Sequence, residues 1–447
     1  MNVVWLKRDV RFVDHEPLAL AAADKLPCVV LYIYEPELLA SDTYHESHHK
    51  FINEGLAELD AKLQAVAVGG MGGLTVRTGN ALDVLKALHS SLHIRTLFSH
   101  REVGNGISLQ RNDRIAAWTA ATGVRWTQCI QDGVSCQRHE ELDEGSWASK
   151  WTQHMLRPQQ PTVTSLLFVD PFRLGILPLS ALPDAASCGV THLGLRPSAQ
   201  TGGETAAHNI LRSFLERRGE GYCDELSSPL TGWDSCSRLS PYETKSSCLK
   251  CCDIAHRYLS WGHISLRTVF QSLSSRQEEL RGIKKLGRET GRWLKSLSAL
   301  GSRLRWRSHF AQKLSDQPSI EHDNMCRSYD ILRTELDTAK LDAWANGRTG
   351  YPMVDACMRS LDHSGWLNFR MRAMLVSFAC YDLWLDWRPL APILARRFLD
   401  YEPGIHYPQL QMQAGTTGMN ANRIYSATKQ VRSQKHAVKI ANSHACQ

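Results

Sequence analysis

The sequence predicts an α/β domain built on a parallel sheet, followed by an all-helical domain. Three observations carry this. Over roughly the first 130 residues, short apolar runs of strand length alternate with segments of helical spacing. From about residue 206 the apolar spacing is helical throughout. The chain has 447 residues, 43% hydrophobic and 22% charged, which is ordinary globular usage for two or three domains of about 150 residues. Alternating β and α segments with short links favour a parallel sheet covered by helices on both faces. Ligands of such sheets sit beyond the carboxyl ends of the strands.

In order, residues 2–6 read as a short apolar strand and 16–23 as a helix. The run 28–34, CVVLYIY, is apolar without a break, as a strand buried on both faces should be. Residues 48–64 have helical spacing through Phe51, Leu56, Leu59 and Leu63. A strand at 74–77, a helix at 81–89, a strand at 96–99, a helix at 109–122 and a strand at 124–129 complete an N-terminal domain of 1–132. Residues 133–205, rich in Pro, Gly, Ser and Gln, read as an interdomain linker. The helical domain spans 206–430, with an insertion at 243–257 (ETKSSCLKCCDIAHR) and a basic tail at 431–447. Its clearest element is 367–387, LNFRMRAMLVSFACYDLWLDW, apolar almost all round and predicted as one long buried helix.

Composition narrows the function. A formal charge of +7 permits a polyanionic partner without requiring one. Thirteen cysteines without paired spacing suggest a reducing compartment. The opening MNVVWLKRDVRF has no apolar core of a signal peptide, and no run approaches the ~18 apolar residues of a membrane span. A soluble, intracellular protein is the expectation. Tryptophan, at 13, outnumbers tyrosine and phenylalanine, which suits either a helical core or a site for a planar cofactor.

Several short motifs are weak. His45-Glu46-Ser47-His48-His49 fits H-E-x-x-H but lacks a third ligand, so an accidental match is expected. Cys248, Cys251 and Cys252 have only His256 as a neighbour, and a free-thiol insertion accounts for them more simply than zinc. Residues 281–313 carry ten Lys or Arg against one acid, Glu289, with Trp293 and Trp306 interleaved. That suits a phosphate-tracking surface or a solvated helix face equally. The turn Cys236-Ser237-Arg238-Leu239-Ser240-Pro241 can hold a phosphate on backbone N–H groups or simply cap a helix.

The stretch WANGRTGYPMVDACMRSLDHSGWLNFRMRAMLVSFACYDLWLDWR, followed by FLDYEPGIHYPQLQMQAGTTGMNANRIYSATKQ, closely resembles the flavin-binding half of the photolyase/cryptochrome family. The opening VVWLKRDVRFVDHEPLALAAA resembles the family's antenna-binding domain. GYCDELSSPLTGWDSCSRLSPY, then YLSWGHISLRTVFQ, resembles its phosphate-gripping segment. The resemblance implies a Rossmann-like N-terminal domain and a helical domain holding FAD. It implies Tyr222 as an aromatic flavin contact and Ser237, Arg238, Leu239 and Ser240 around the pyrophosphate. It implies Arg372 and Asp400 as an ion pair beside the ring, Glu402 at its polar edge and His406 facing its N5. Trp306 and Trp344 match tryptophans lining the flavin and substrate cavity.

The departures matter as well. Arg303 stands where DNA-repairing members carry Glu, and Phe369 stands where they carry the Asn of a His-Asn-Arg triplet. The proximal tryptophan of the family's electron chain becomes Leu410, and Trp387 matches the middle one. Trp384, three residues before Trp387 on the predicted helix, is the candidate relay. The C-terminus is shorter than the family's. The resemblance implies a blue-light flavoprotein. As an enzyme it would be of the deoxyribodipyrimidine photo-lyase type, a carbon–carbon lyase binding damaged or single-stranded DNA. The alternative is a cryptochrome-type photoreceptor with protein partners, and a third is a nucleotide-binding protein that has lost its flavin. A folate- or deazaflavin-type antenna is a further expectation, with Glu102 as its candidate contact.

Overall fold

The structure is a computed structural model and describes residues 1–134, 144–170, 182–197, 199–225, 257–419 and 424–432. Five strands, β1 (Asn2–Leu6), β2 (Cys28–Tyr34), β3 (Leu74–Thr78), β4 (Thr96–His100) and β5 (Arg125–Cys129), form one sheet in the order β3-β2-β1-β4-β5. Every pairing is parallel, with Val4 opposite Val30 on one side and Phe98 on the other. Strands β1 and β2 are buried along their whole length, which is why they read as unbroken apolar runs. The strand order reverses between β1 and β4, and a crevice opens beyond their carboxyl ends.

The crossover helices are α1 (Glu16–Ala23), α2 (Pro36–Leu39), α3 (Glu46–Ala65), α4 (Ala81–Leu92) and α5 (Gly106–Thr122). Their starts follow local chemistry. Asn80 and Asn105 accept from Leu82 N and Ser108 N, capping α4 and α5. His15 does the same for α1 through Nδ1, accepting from Leu18 N at 3.2 Å.

The stretch predicted as linker holds more structure than its composition suggested. It contains α6 (Glu144–Leu156), whose Trp147, Trp151 and Met155 recur every four residues and are buried. Leu166 and Phe168 bridge Ala67 and Cys28 at the edge of the sheet. After α7 (Glu204–Ser213) and α8 (Tyr222–Glu225), the helical part comprises α9 (Leu266–Lys285), α10 (Trp293–Asp316), α11 (Thr338–Ala345), α12 (Pro352–Ser364), α13 (Phe369–Ser377), α14 (Trp387–Arg397), α15 (Pro403–Ala414) and α16 (Ala427–Arg432).

The single helix predicted over 367–387 does not form. Helix α13 ends at Ser377, one π turn runs over Phe378–Asp382, and the chain reverses through Trp384 at φ +60°. Asp386 then caps α14, accepting from Arg388 N at 2.8 Å. An aspartate before Trp-Arg-Pro starts a helix more strongly than it continues one, so the apolar pattern belongs to two packed elements.

The two domains share one core and an extensive polar seam. Val4 and Leu6 belong to the same buried cluster as Leu259, Leu273 and Leu304. Asp14 accepts from Ser265 Oγ at 2.6 Å and pairs with Arg267 at 3.2 Å. Gly262 holds φ +69°, and a Cβ there would stand 2.3 Å from Arg8 O, so only glycine allows this approach.

Burial pushes His48, His100 and His263 down to about 3 and His154 to about 4, all from an ordinary value near 6.5. Between those values the unfolded chain binds protons that the fold refuses. The contribution of these four histidines is therefore fully present above about pH 6.5 and is lost as the pH drops toward 4. Thermal melting between pH 7.5 and roughly 4.5 should show a steady fall in midpoint below neutrality; a flat profile would contradict this burial.

Candidate functional site

Three helices turn one face each toward a common cavity of about 1120 Å³. Helix α10 contributes Arg303, Trp306, Arg307 and Phe310; α13 contributes Phe369, Arg372, Ala373 and Val376; α15 contributes His406, Gln409, Leu410 and Gln413. Each set repeats at three and four residues, the spacing of one helix face. Tyr222, Trp366 and Asp400 complete the wall.

The fixed charge in that wall is a two-pronged ion pair. Arg372 Nη1 meets Asp400 Oδ1 at 3.0 Å and Nη2 meets Oδ2 at 2.7 Å. Arg372 Nε donates to Leu367 O at 2.7 Å, and its guanidinium lies 4.0 Å from the Phe398 ring centre. Asp400 is 1% exposed and Arg372 25%, so the pair is largely out of water. A planar fork matched to a carboxylate fixes both groups in one geometry.

His406 also faces the cavity. Burial pushes it down to about 4, and its Nε2 donates to Ala391 O at 2.9 Å, which leaves Nδ1 without a proton. Tyr222 is buried against Phe214. Trp306, by contrast, is 49% exposed and stands at the mouth, stacked on Phe310. Arg303 lies over the Phe369 ring at 5.6 Å, so the two departures from the repair pattern touch each other.

Other expected residues lie elsewhere. Glu402 lines a neighbouring cavity of about 470 Å³ at the domain seam, held by Arg307 and by Ser260 Oγ at 3.1 Å. Arg307 lines both cavities and also meets Asp132 at 3.3 Å. Trp344 is fully buried in the helical core and donates to Leu375 O at 3.1 Å, on a side of α13 turned from the cavity. Trp387 is equally buried and donates to Asn324 Oδ1 at 2.7 Å. Trp384 is 53% exposed in the turn and shares Arg333 with Tyr381, each ring 5.1 Å from that guanidinium. Trp384 and Trp387 are thus not neighbours on one helix, because the helix breaks between them. Ser237, Arg238, Leu239, Ser240 and the cysteine cluster fall outside the described residues.

The H-E-x-x-H side chains are spent on structure. His45 caps α3 by accepting from Ser47 N at 3.0 Å, Glu46 accepts from Leu193 N at 2.7 Å, and His49 donates to Pro183 O at 2.8 Å. Asp9, His15 and His100 form the one described cluster close enough to bind an ion. His15 Nε2 and His100 Nδ1 both donate to Asp9 Oδ2, at 3.1 and 2.7 Å, which accounts for it without a metal.

The residues present fit a large planar cofactor with polar edges. The indole N–H of Trp366 and the Oε1 of Gln413 are buried in the cavity wall without a hydrogen-bond partner. Unsatisfied donors and acceptors of this kind are costly unless a ligand completes them. Trp366, Gln409 and Gln413 were not expected as wall residues; the α15 spacing from His406 pointed to the two glutamines.

A third cavity, of about 730 Å³, opens at the carboxyl ends of β1, β2 and β4, between Tyr32, Tyr44, Trp261 and Glu102. Arg111 ties Glu102 to Glu35, and Lys7 beside them is pushed down to about 8 by burial.

Two family models match the chain: one described as DNA photolyase over residues 2–138, the other as the FAD binding domain of DNA photolyase over 299–440. The chain belongs to the photolyase/cryptochrome family. It is 24% identical to a deoxyribodipyrimidine photo-lyase of Synechococcus over 445 residues, covering 96% of this chain and 84% of that one. It is 25% identical to cryptochrome-2 of Arabidopsis thaliana over 400 residues, covering 87% of this chain and 60% of that one. Among solved structures, the Synechocystis cryptochrome superposes with TM-score 0.79 at 21% identity, covering 98% of this chain and 88% of that one. The archaeal photolyase of Sulfolobus tokodaii, described with two FAD molecules, gives 0.72 at 20% identity, covering 96% and 86%. At these identities the superpositions speak for the fold, which is that of the family: a parallel sheet domain and a helical FAD-binding domain.

Arg372→Ala would leave the Asp400 carboxylate buried and unpaired. A loss of about 3–5 kcal/mol in unfolding free energy is expected by chemical denaturation. Arg372→Lys, which keeps the charge but not the fork, should lose less. Equal stability of Arg372→Ala and the parent would show that the pair carries no weight.

Proposed function

We propose that the chain is a blue-light-driven FAD flavoprotein of the DNA photolyase type, delivering an electron to a pyrimidine dimer in DNA. The observation that carries this reading is the forked Arg372–Asp400 pair in the wall of an apolar cavity with hydrogen-bonding capacity to spare. When bound, FAD supplies a light-excited one-electron donor or acceptor. Tyr222, Trp366, Arg372, Asp400, His406 and Gln413 are the residues that would hold it. Arg372 biases the charge that the cavity tolerates, and Asp400, kept in register by its partner, offers an acceptor at a fixed place. His406 donates its Nε2–H to Ala391 O and presents an unprotonated Nδ1.

A dimer is out of reach inside a duplex, so the strand must turn it out into the cavity. Trp306 at the mouth offers a stacking face, and the neighbouring groove supports a strand with Arg281, Arg305 and Lys313. Electron supply is best served by the aromatics that wall the cavity, Trp306 and Trp366, with Trp387 behind them in the core that also contains Leu410. The cavity beyond the sheet supports a second pigment of folate or deazaflavin type, gripped near Glu102.

A second reading, a cryptochrome-type photoreceptor, is favoured by Arg303 and Phe369. They put a cation and a ring where dimer-repairing members carry an acid and an amide.

One experiment separates the readings. An oligonucleotide carrying a single cyclobutane thymine dimer is incubated with the flavin-loaded protein in blue light and in darkness. Splitting in light alone is expected for the photolyase type, and Trp366→Phe should slow light-driven flavin reduction more than Trp384→Phe. A flavin that is reduced by light while the dimer persists would overturn repair in favour of signalling. A greater effect of Trp384→Phe would return the electron route to the surface turn.

A further inference from the structure

Three guanidinium groups line the main cavity, and two of them are neutralised. Arg307 pairs with Glu402 and Asp132, and Arg372 pairs with Asp400. Arg303 has no such partner: among the described residues no carboxylate stands within salt-bridge distance of it. Its guanidinium lies over the Phe369 ring, 5.6 Å from the ring centre, and its side chain is half-buried. A guanidinium held on an aromatic face, partly withdrawn from water and not compensated, is prepared to take an anion from outside. Its planar fork suits a phosphate.

What surrounds Arg303 narrows the anion. Trp306 lies three residues further along α10, on the same face, and is 49% exposed. Trp306 is also the wall between the cavity and an open groove of about 1780 Å³ between α6, α9 and α10. That groove carries Arg281, Arg305 and Lys313 against a single acid, Asp316. A cationic track that ends on a stacking face, with one more free cation at the edge of the pocket, fits a chain of phosphates and bases rather than an isolated anion.

We propose that Arg303 grips a backbone phosphate of a single or locally opened DNA strand at the cavity mouth, next to a base stacked on Trp306. This makes it the residue that selects a strand over a free nucleoside. The inference rests on the reading above that a strand delivers its base to this cavity. Two rival roles exist for Arg303. It could cover Phe369 as packing alone, or it could contact the phosphates of the bound cofactor.

The test uses the full flavin-loaded chain, oligothymidylate and thymidine as probes, and the variants Arg303→Gln and Arg303→Lys. Affinity is measured between about 50 and 200 mM salt. The parent should bind the oligonucleotide and not thymidine. Arg303→Gln should bind it several-fold more weakly at low salt, with the slope of log affinity against log salt shallower by about 0.7, one phosphate contact on a single strand. Arg303→Lys should keep the slope and recover part of the affinity, which a packing role would not produce. Unchanged slope and affinity in Arg303→Gln, with the parent binding normally, would overturn this inference alone. Loss of flavin from Arg303→Gln would overturn it in favour of a cofactor contact. A flavin-loaded parent that ignores the oligonucleotide would overturn the strand reading itself.

Discussion

Four residues between α14 and α15 hold this site together. Leu399 donates to Gly365 O at 2.9 Å and accepts from Trp261 Nε1 at 2.8 Å. Asp400 O accepts from Ser260 Oγ at 3.1 Å, and Tyr401 O accepts from Arg8 Nη1 at 2.9 Å. The segment is thus tied to the sheet domain, to the start of α9 and to the end of α12 at once. That anchoring delivers Asp400 to Arg372 in the main cavity and Glu402 to Arg307 in the next. A carboxylate so deeply buried persists as a charge only because its backbone and its partner are both fixed.

The same ties join the two domains around the site. Arg8, on the loop after β1, also lies 4.3 Å from the Trp261 ring, and Gly262 lets that loop approach to contact. At the second helix junction, a Cβ on Gly404 would stand 2.8 Å from Ala311 Cα, so glycine lets α15 press directly on α10. The cavity between α10, α13 and α15 is therefore shaped by backbone proximity, and its walls are left apolar except where Arg, Asp, His and Gln are supplied at helical spacing.

Much of this was legible in the sequence, for physical reasons. The strands announced themselves because β1 and β2 are buried on both faces, whereas the start of α5 was placed at 109 and lies at Gly106, where Asn105 caps it. Arg372, Asp400 and His406 stood out through the ordered motif around them. The break in 367–387 did not, because an apolar pattern cannot distinguish one buried helix from two packed pieces; Asp386 as a cap was the available signal. Trp344 and Trp387 were named as site residues because they match tryptophans of the family's motif. Only packing reveals that their indole N–H groups are satisfied inside the core, while that of Trp366 is not. Helix α6 was hidden by its Gln- and Ser-rich surroundings, although Trp147 and Trp151 carried its period.

The central claim is that the cavity walled by Arg372, Asp400, Trp366 and Gln413 is built around a flavin dinucleotide. The most direct measurement is the absorption spectrum of the purified, folded protein, followed by denaturation and quantification of the released flavin. About one FAD per chain in the parent, lost or sharply reduced in Asp400→Asn, is the result expected if the buried pair holds the cofactor. A folded, colourless protein that releases no flavin, and that takes up none when FAD is added, would contradict it.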